Sequence, residues 1–387
     1  MDNHLKSQFL INPALTFLNF GSFGACPIPV FNKYQEIQKE LEFQPIDFIV
    51  KDGPTRLESA RAILARYVGC HKEDLVFVTN PSYGINTIAK SLKLSLGDEV
   101  LSTNLEYGAM DRVWSYYCQK KGAKYVQHKI DLPITSKEEF CNQFWKGYTK
   151  KTKVIFISHI TSATGLILPV NEICSEAKRR GLLVVVDGAH APGQINLNVA
   201  DLKADIYVGA CHKWMMAPKG ASFLYVNKSN QEWIDPLLIS WGYKADKPSD
   251  SLFIDYHQMT GTRDFSAFLA VPAAIEFMKI NNWDKVKLSC AQITRKNAPL
   301  FCDLLGVDSL APISEDFIGQ MFSIPINNVK HPDAFHDLLL EKYNIEIPVY
   351  QDKGKTYLRY SINGFNNQGD LDYLYEVLKK NIGLLKS

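Results

Sequence analysis

The sequence predicts an α/β protein: a mostly parallel sheet of seven strands in a large domain, followed by a small α+β domain. Two observations carry this reading. From about residue 54 to 226, short apolar runs alternate with polar stretches of helical period, and after Val226 that rhythm stops. A chain of 387 residues, 46% of them hydrophobic, also exceeds what one core usually holds, roughly 250–300 residues.

The runs are LVFVT (75–79), EVLST (99–103), KYVQH (124–128), KVIFIS (153–158), LLVVVD (182–187), DIYVG (205–209) and ASFLYV (221–226). Their length and β-branched content mark them as strands. The stretches 107–121, 136–148 and 170–180 between them read as covering helices, the rhythm of a parallel sheet. Beyond a loop-rich segment reaching Gly261, a long helical pattern begins near Asp264. IGQMFSIPI (318–326), KTYLRYSI (355–362) and a final helix DLDYLYEVLKKNI (370–382) complete the small domain. We therefore expect an N-terminal arm and helix over 1–50 packing with the small domain, a large domain over 51–262 and a small domain over 263–387. There is no internal repeat.

Lysine and arginine number 43 against 41 acidic residues, a net charge of +2, which gives no pull toward nucleic acid or an anionic membrane. A small-molecule substrate is expected instead. The start lacks a signal-like apolar stretch and no run approaches ~20 apolar residues, so a soluble cytoplasmic protein is expected. Eight cysteines without a CxxC pair suit reduced thiols and argue against a metal site.

Ligands of open α/β sheets collect beyond the carboxyl ends of the strands. There, NPSYGIN (80–86) opens a helix whose free N–H groups suit a phosphate, with hydroxyls on Ser82 and Tyr83; it equally suits a plain capped helix. Tyr107 in NLEYGAM could lie against an aromatic cofactor or simply form core. In SHITSATGLILPV, Ser162 or Thr161 could donate to a ring oxygen, or serve the turn alone.

LLVVVDGAH carries the sharpest signal. Asp187 closes a strand buried on both faces, where a carboxylate needs a cation or donors, and a protonated pyridine nitrogen is such a partner. His190 follows on the same rim. Twenty-six residues after Asp187, ACHKWMMAPKG places Lys213 among Trp214, Met215, Met216 and Ala217, surroundings that lower an amine's pKa and free it as a nucleophile. Residue pattern alone leaves Lys219 as its rival.

With VVVDGAH and GACHKWM at this spacing, the sequence resembles the class V aminotransferase family of fold-type I pyridoxal-phosphate enzymes. The resemblance covers nearly the whole chain. It implies pyridoxal 5'-phosphate as cofactor, Lys213 as its Schiff-base lysine, Asp187 at the ring nitrogen and His190 above the ring. It also implies Ser82 and Tyr83 at the phosphate, Tyr107 stacked on the ring, Ser162 at the ring oxygen and His212 beside the phosphate. Thr262 in TGTRD would reach the phosphate of a partner subunit, which implies a homodimer with shared active sites. Arg359 in YLRYSINGFNN would fork the substrate α-carboxylate. Pro81, lacking an N–H, and Ala210, where many relatives carry a hydroxyl, depart from the family pattern.

The LNFGSFGACP start, EYGA and the HKWM loop look most like the isopenicillin N epimerase branch. Cysteine desulfurases and selenocysteine lyases come next, but no cysteine occurs from Asp303 to Ser387, where their sulfur acceptor would lie. The resemblance thus implies chemistry at the α-carbon of an amino acid or a similar compound: Lys213, Asp187 and His190 catalytic, and Lys213 taking the α-proton. An epimerase would need a second acid, such as Tyr107, His190 or a water, which the sequence does not identify. A lyase, a transaminase and a non-catalytic protein of the same fold are the alternatives. A nucleotide-binding enzyme would need a GxGxxG or P-loop motif, for which GSFG (21–24) is a poor substitute.

Overall fold

All seven apolar runs lie in one sheet of the computed structural model, which describes residues 4–326 and 328–386. The strands are β1 (Leu75–Val78), β2 (Glu99–Thr103), β3 (Lys124–His128), β4 (Thr152–Ser158), β5 (Leu183–Gly188), β6 (Ile206–Ala210) and β7 (Ser222–Val226). Their order is β1-β7-β6-β5-β4-β2-β3. Strand β7 is antiparallel to both β6 and β1, and the remaining pairings are parallel. Two reversals restore the direction of β1, so β1, β2, β4, β5 and β6 all end on one edge.

Alternation along these strands feeds two apolar layers. Leu75, Phe77, Ile155, Ile157, Val184 and Val186 join one core cluster, while Val76, Val78, Val154, Phe156 and Val185 join the other. Helices α1 (Ile28–Phe43), α2 (Gly53–Val68), α3 (Pro81–Ser91), α4 (Gly108–Lys121), α5 (Lys137–Trp145) and α6 (Val170–Arg179) precede or connect the strands. Of these, α3 and α4 start directly beyond β1 and β2, which aims their N-termini at the shared edge.

The long helical pattern expected from Asp264 is three helices. A short one spans Ser266–Leu269, then α7 (Val271–Ile280) and α8 (Trp283–Leu305) follow, with Asn282 between them at φ +49°. That left-handed residue turns the chain where apolar periodicity alone reads straight through.

A second sheet holds β8 (Met321–Pro325), β9 (Val349–Asp352) and β10 (Lys355–Ser361) in the order β9-β10-β8, all antiparallel, and α9 (Gln368–Lys380) closes the fold. The amino-terminal segment joins this part of the molecule. Thr16–Phe17 pairs in parallel with Ile345–Glu346, and the Ser361 N–H donates to Leu18 O at 2.8 Å. The arm then crosses the loop after β6 so closely that a Cβ on Gly24, at φ +65°, would meet His212 O at 2.4 Å. Only glycine fits there.

No described helix is long and apolar enough to cross a membrane. Among the described residues, no group of three or more His, Cys, Asp or Glu side chains could hold a metal, and all eight cysteines are free.

Candidate active site

Parallel register sets the floor of the site. Ser158 and Asp187 are paired at the ends of β4 and β5, and the N-termini of α3 and α4 bring Ser82 and Tyr107 to the same edge. The loop after β6 adds His212 and Lys213. Ser82, Tyr107, Ser162, Asp187, His190, His212 and Lys213 line one cavity. Three expected residues are not on this lining: Arg359, described below, Tyr83 and Thr262. Tyr83 turns toward Thr260 and Arg263, one helical step away from Ser82, and Thr262 is solvent-exposed.

Lys213 is fixed by the turn that carries it. The Met216 N–H donates to Lys213 O at 2.9 Å, with Met216 itself in the left-handed region, and the Cys211 and His212 N–H groups both donate to Ala221 O at 3.1 Å. Its rival Lys219 is engaged elsewhere, donating to Gly24 O at 3.1 Å. Burial, with the guanidinium of Arg359 adding to it and Asp187 opposing, brings the Lys213 amine down to about 8. Near neutrality about a tenth of such an amine is unprotonated, several hundred times the share of a free lysine.

Its neighbour is His190, whose Nε2 lies 3.0 Å from Lys213 Nζ. The Trp214 indole N–H donates to His190 Nδ1 at 3.3 Å, so the proton of the neutral ring sits on Nε2 and points at the lysine nitrogen. Burial first, then the charge on Lys213, holds His190 well below the usual histidine range, so the ring is neutral. The Gln194 side chain donates to His190 O at 2.9 Å and accepts from the Gln320 N–H at 2.9 Å, which ties this rim to the segment entering β8.

Asp187 is buried, 4% exposed, and its carboxyl is pushed up by desolvation, with the Ala189 N–H and Lys213 opposing. Among the described residues, the Ala189 N–H at 2.9 Å is its one hydrogen-bond donor. A carboxylate facing a cavity with so little compensation calls for a cationic N–H partner. Beyond β1, the Asn80 side chain takes the Tyr83 N–H at 2.8 Å and Pro81 has none, which leaves Ser82 with its N–H and hydroxyl for an anion at the α3 terminus. His212 donates from Nδ1 to Ala221 O, 2.9 Å away, and burial brings it down to about 4.

A second cavity adjoins the first and shares Ser22, Phe23, Tyr107, Ser162 and Lys213 with it. Behind their common wall lies Arg359, fully buried on β10. It donates to Ser162 O, to Ser22 Oγ at 3.2 Å and to Tyr350 OH at 3.1 Å. No carboxylate among the described residues pairs with it, and its Nε is buried without a partner. An unpaired buried guanidinium beside a cavity is suited to a carboxylate ligand.

Several lining residues escaped sequence reasoning: Ser22 and Phe23 from the arm, Asn80, Met110, Ser158 and Tyr350. Glu106, beside Tyr107 in the same motif, lies under the floor. Ser158 donates to it from its N–H at 2.9 Å and its hydroxyl at 2.5 Å, and Thr103 Oγ1 from 2.8 Å. Burial still raises its carboxyl to about 8.

A buried nucleophilic lysine, an under-compensated aspartate at a strand end and a helix-terminal anion site around one cavity define the class: an enzyme that holds pyridoxal 5'-phosphate. The chain belongs to the aminotransferase class-V family, whose model matches residues 50–374. It is 31% identical over 387 residues to an isopenicillin N epimerase from Amycolatopsis lactamdurans, covering 97% of each chain. It is also 26% identical to a hercynylcysteine sulfoxide lyase from Schizosaccharomyces pombe, again over 97% of each. Among solved structures it resembles a cysteine desulfurase from Thermococcus onnurineus NA1 at a TM-score of 0.85 and 20% identity, covering 99% of this chain and 98% of that one. This last likeness establishes the fold.

Proposed function

We propose that this chain inverts configuration at the α-carbon of an amino acid or amino-acid-like substrate. The observation that supports the proposal is a cavity lined by Lys213 and Asp187, with the guanidinium of Arg359 buried behind its wall. Resemblance to an isopenicillin N epimerase along nearly the whole of both chains supports inversion, and the lack of cysteine from 303 to 387 counts against sulfur transfer to the protein.

Pyridoxal 5'-phosphate, when bound, joins a lysine or substrate amine through its aldehyde and accepts the electron pair left at the α-carbon. Lys213 is the residue we assign to hold that aldehyde, and the Nε2–H of His190 keeps its lone pair oriented. Asp187 would hold a proton on the ring nitrogen, Tyr107 would cover the ring, Ser162 would donate to the ring oxygen, and Ser82 with His212 would bind the phosphate. Arg359 would grip the substrate carboxylate, which places the α-hydrogen in front of Lys213, and Lys213 would remove that proton as general base.

We further infer a cytoplasmic homodimer in which Thr262 and the loop before it meet the partner's phosphate site. Exposed Ile239 and Trp241 in that loop, 66% and 86% accessible, support an interface there.

The test is incubation of the holoenzyme with isopenicillin N, and separately with single L-amino acids, in deuterated water. Chiral chromatography and mass spectrometry of the recovered material are expected to show inverted product carrying deuterium at the α-carbon. Release of a keto acid or a sulfur product without inversion would replace this reading by a lyase.

A further inference from the structure

Inversion needs two proton carriers, and only one has been assigned. We propose that Tyr350 is the second: it delivers a proton to the α-carbon on the face away from Lys213 and removes it in the reverse direction. This rests on the epimerase reading above.

Lys213 enters the shared cavity from the loop after β6, at the edge of the large sheet, whereas Tyr350 enters from β9 of the small sheet. They come from different sheets. Tyr350 is also tied to the group that would hold the substrate, because Arg359 Nη2 donates to its hydroxyl at 3.1 Å and the guanidinium carbon lies 4.8 Å from its ring centre. A carboxylate carbon is bonded directly to the α-carbon. Both Nη2 hydrogens go to Ser22 and Tyr350, so the carboxylate would take the remaining Nη1 or Nε hydrogen, and the Tyr350 hydroxyl would share one guanidinium with it, near the reacting atom.

The orientation of the phenolic hydrogen follows from its neighbours. Glu346 Oε1 accepts from Asn19 Nδ2 at 2.7 Å, which turns the amide so that Asn19 Oδ1 faces Ser22. Ser22 Oγ must then donate to Asn19 Oδ1, at 2.5 Å. With its own hydrogen committed, Ser22 accepts from Tyr350 OH, 2.8 Å away. The phenol oxygen thus has its hydrogen aimed at Ser22 and a lone pair on a permanent cation. Arg359 donates to this oxygen, and the Ser22 hydroxyl can rotate to do the same.

The proton count closes. In one direction Lys213 takes the α-proton, the Tyr350 O–H bond breaks, and a new Cα–H bond forms on the opposite face, leaving a phenolate and an ammonium. Solvent then reprotonates Tyr350 and accepts the proton from Lys213. The reverse reaction begins with the phenolate form of Tyr350 and an ammonium on Lys213, and exchanges the two roles. No oxidant or co-reactant is required.

Tyr350→Phe keeps the ring and removes only the hydroxyl. With isopenicillin N as probe in deuterated water, the variant is expected to incorporate deuterium with retained configuration while inversion falls at least ~100-fold, the usual scale of general acid–base catalysis. Cofactor uptake, followed by absorbance, should match the wild type, and KM should change far less than the inversion rate. Ser22→Ala, which frees the phenolic hydrogen but leaves the hydroxyl in place, should still invert and should move the pH profile of inversion.

Wild-type inversion rates in Tyr350→Phe would overturn the assignment alone. Equal loss of exchange and inversion would also overturn it, since that pattern marks a structural role. If the wild-type enzyme exchanges without inverting, the epimerase reading fails first and Tyr350 loses its task with it.

Discussion

Lys213 Nζ and His190 Nε2 stand 3.0 Å apart, with the hydrogen on the histidine side. The direction of that bond is set one residue beyond the lysine, by the indole of Trp214 at His190 Nδ1. A neutral histidine that can only donate favours the unprotonated amine.

Trp214→Phe should therefore raise the Lys213 pKa. Without the indole donor the imidazole can present Nε2 as an acceptor to an ammonium, a bond worth about one pKa unit. Covalent capture of added cofactor by apoprotein, followed by absorbance, depends on the unprotonated amine, so it should rise with pH around a midpoint of about 8 in the wild type. The variant midpoint should lie higher.

Asp187→Asn removes an under-compensated buried carboxylate. Because burial raises the folded pKa of Asp187, its charged form destabilises the apoprotein once pH exceeds the unfolded value, and the penalty grows up to the folded pKa. Apoprotein of the variant should thus be more stable than wild type at pH 7 in urea titrations. Turnover should fall by at least ~100-fold, because a neutral amide cannot hold the ring-nitrogen proton electrostatically.

Arg359→Ala should raise KM for carboxylate-bearing substrates on the order of 100-fold through loss of a buried charge-assisted pair. Amines that lack the carboxylate should lose much less. Parallel steady-state kinetics with an amino acid and its decarboxylated amine provide the comparison.

Gly24→Ala tests the crossing of the arm. Its Cβ would press on His212 O and on the Lys213 backbone, at 2.4 and 2.7 Å, in a left-handed conformation. Destabilisation of about 1–3 kcal/mol is expected in urea titration, together with weaker cofactor retention.

Much of this was legible in the sequence because one physical pattern served both fold and site. Buried parallel strands read as apolar runs, and the residues at or soon after the ends of those runs, Asp187 and Ser162 among them, are delivered to one edge by the topology itself. The choice between Lys213 and Lys219 was not legible. It depends on a tight turn at Met216 and on the arm carbonyl that engages Lys219, contacts between segments nearly two hundred residues apart. Ser22 and Tyr350 were hidden for the same reason, since the arm reaches the small sheet through the pairing of Thr16–Phe17 with Ile345–Glu346 and the bond from Ser361 to Leu18. Tyr83 lies beside Ser82 in the motif, yet a helix turns successive residues by about 100°, and adjacency in sequence does not mean a shared face.

The account turns on Lys213 as the residue joined to the cofactor. Borohydride reduction of the holoenzyme, followed by peptide mass spectrometry, tests it directly. The pyridoxyl mass should appear on the peptide at Lys213 and vanish in Lys213→Ala, along with the reducible chromophore. A pyridoxyl group on Lys219, or a chromophore that survives in Lys213→Ala, would contradict it.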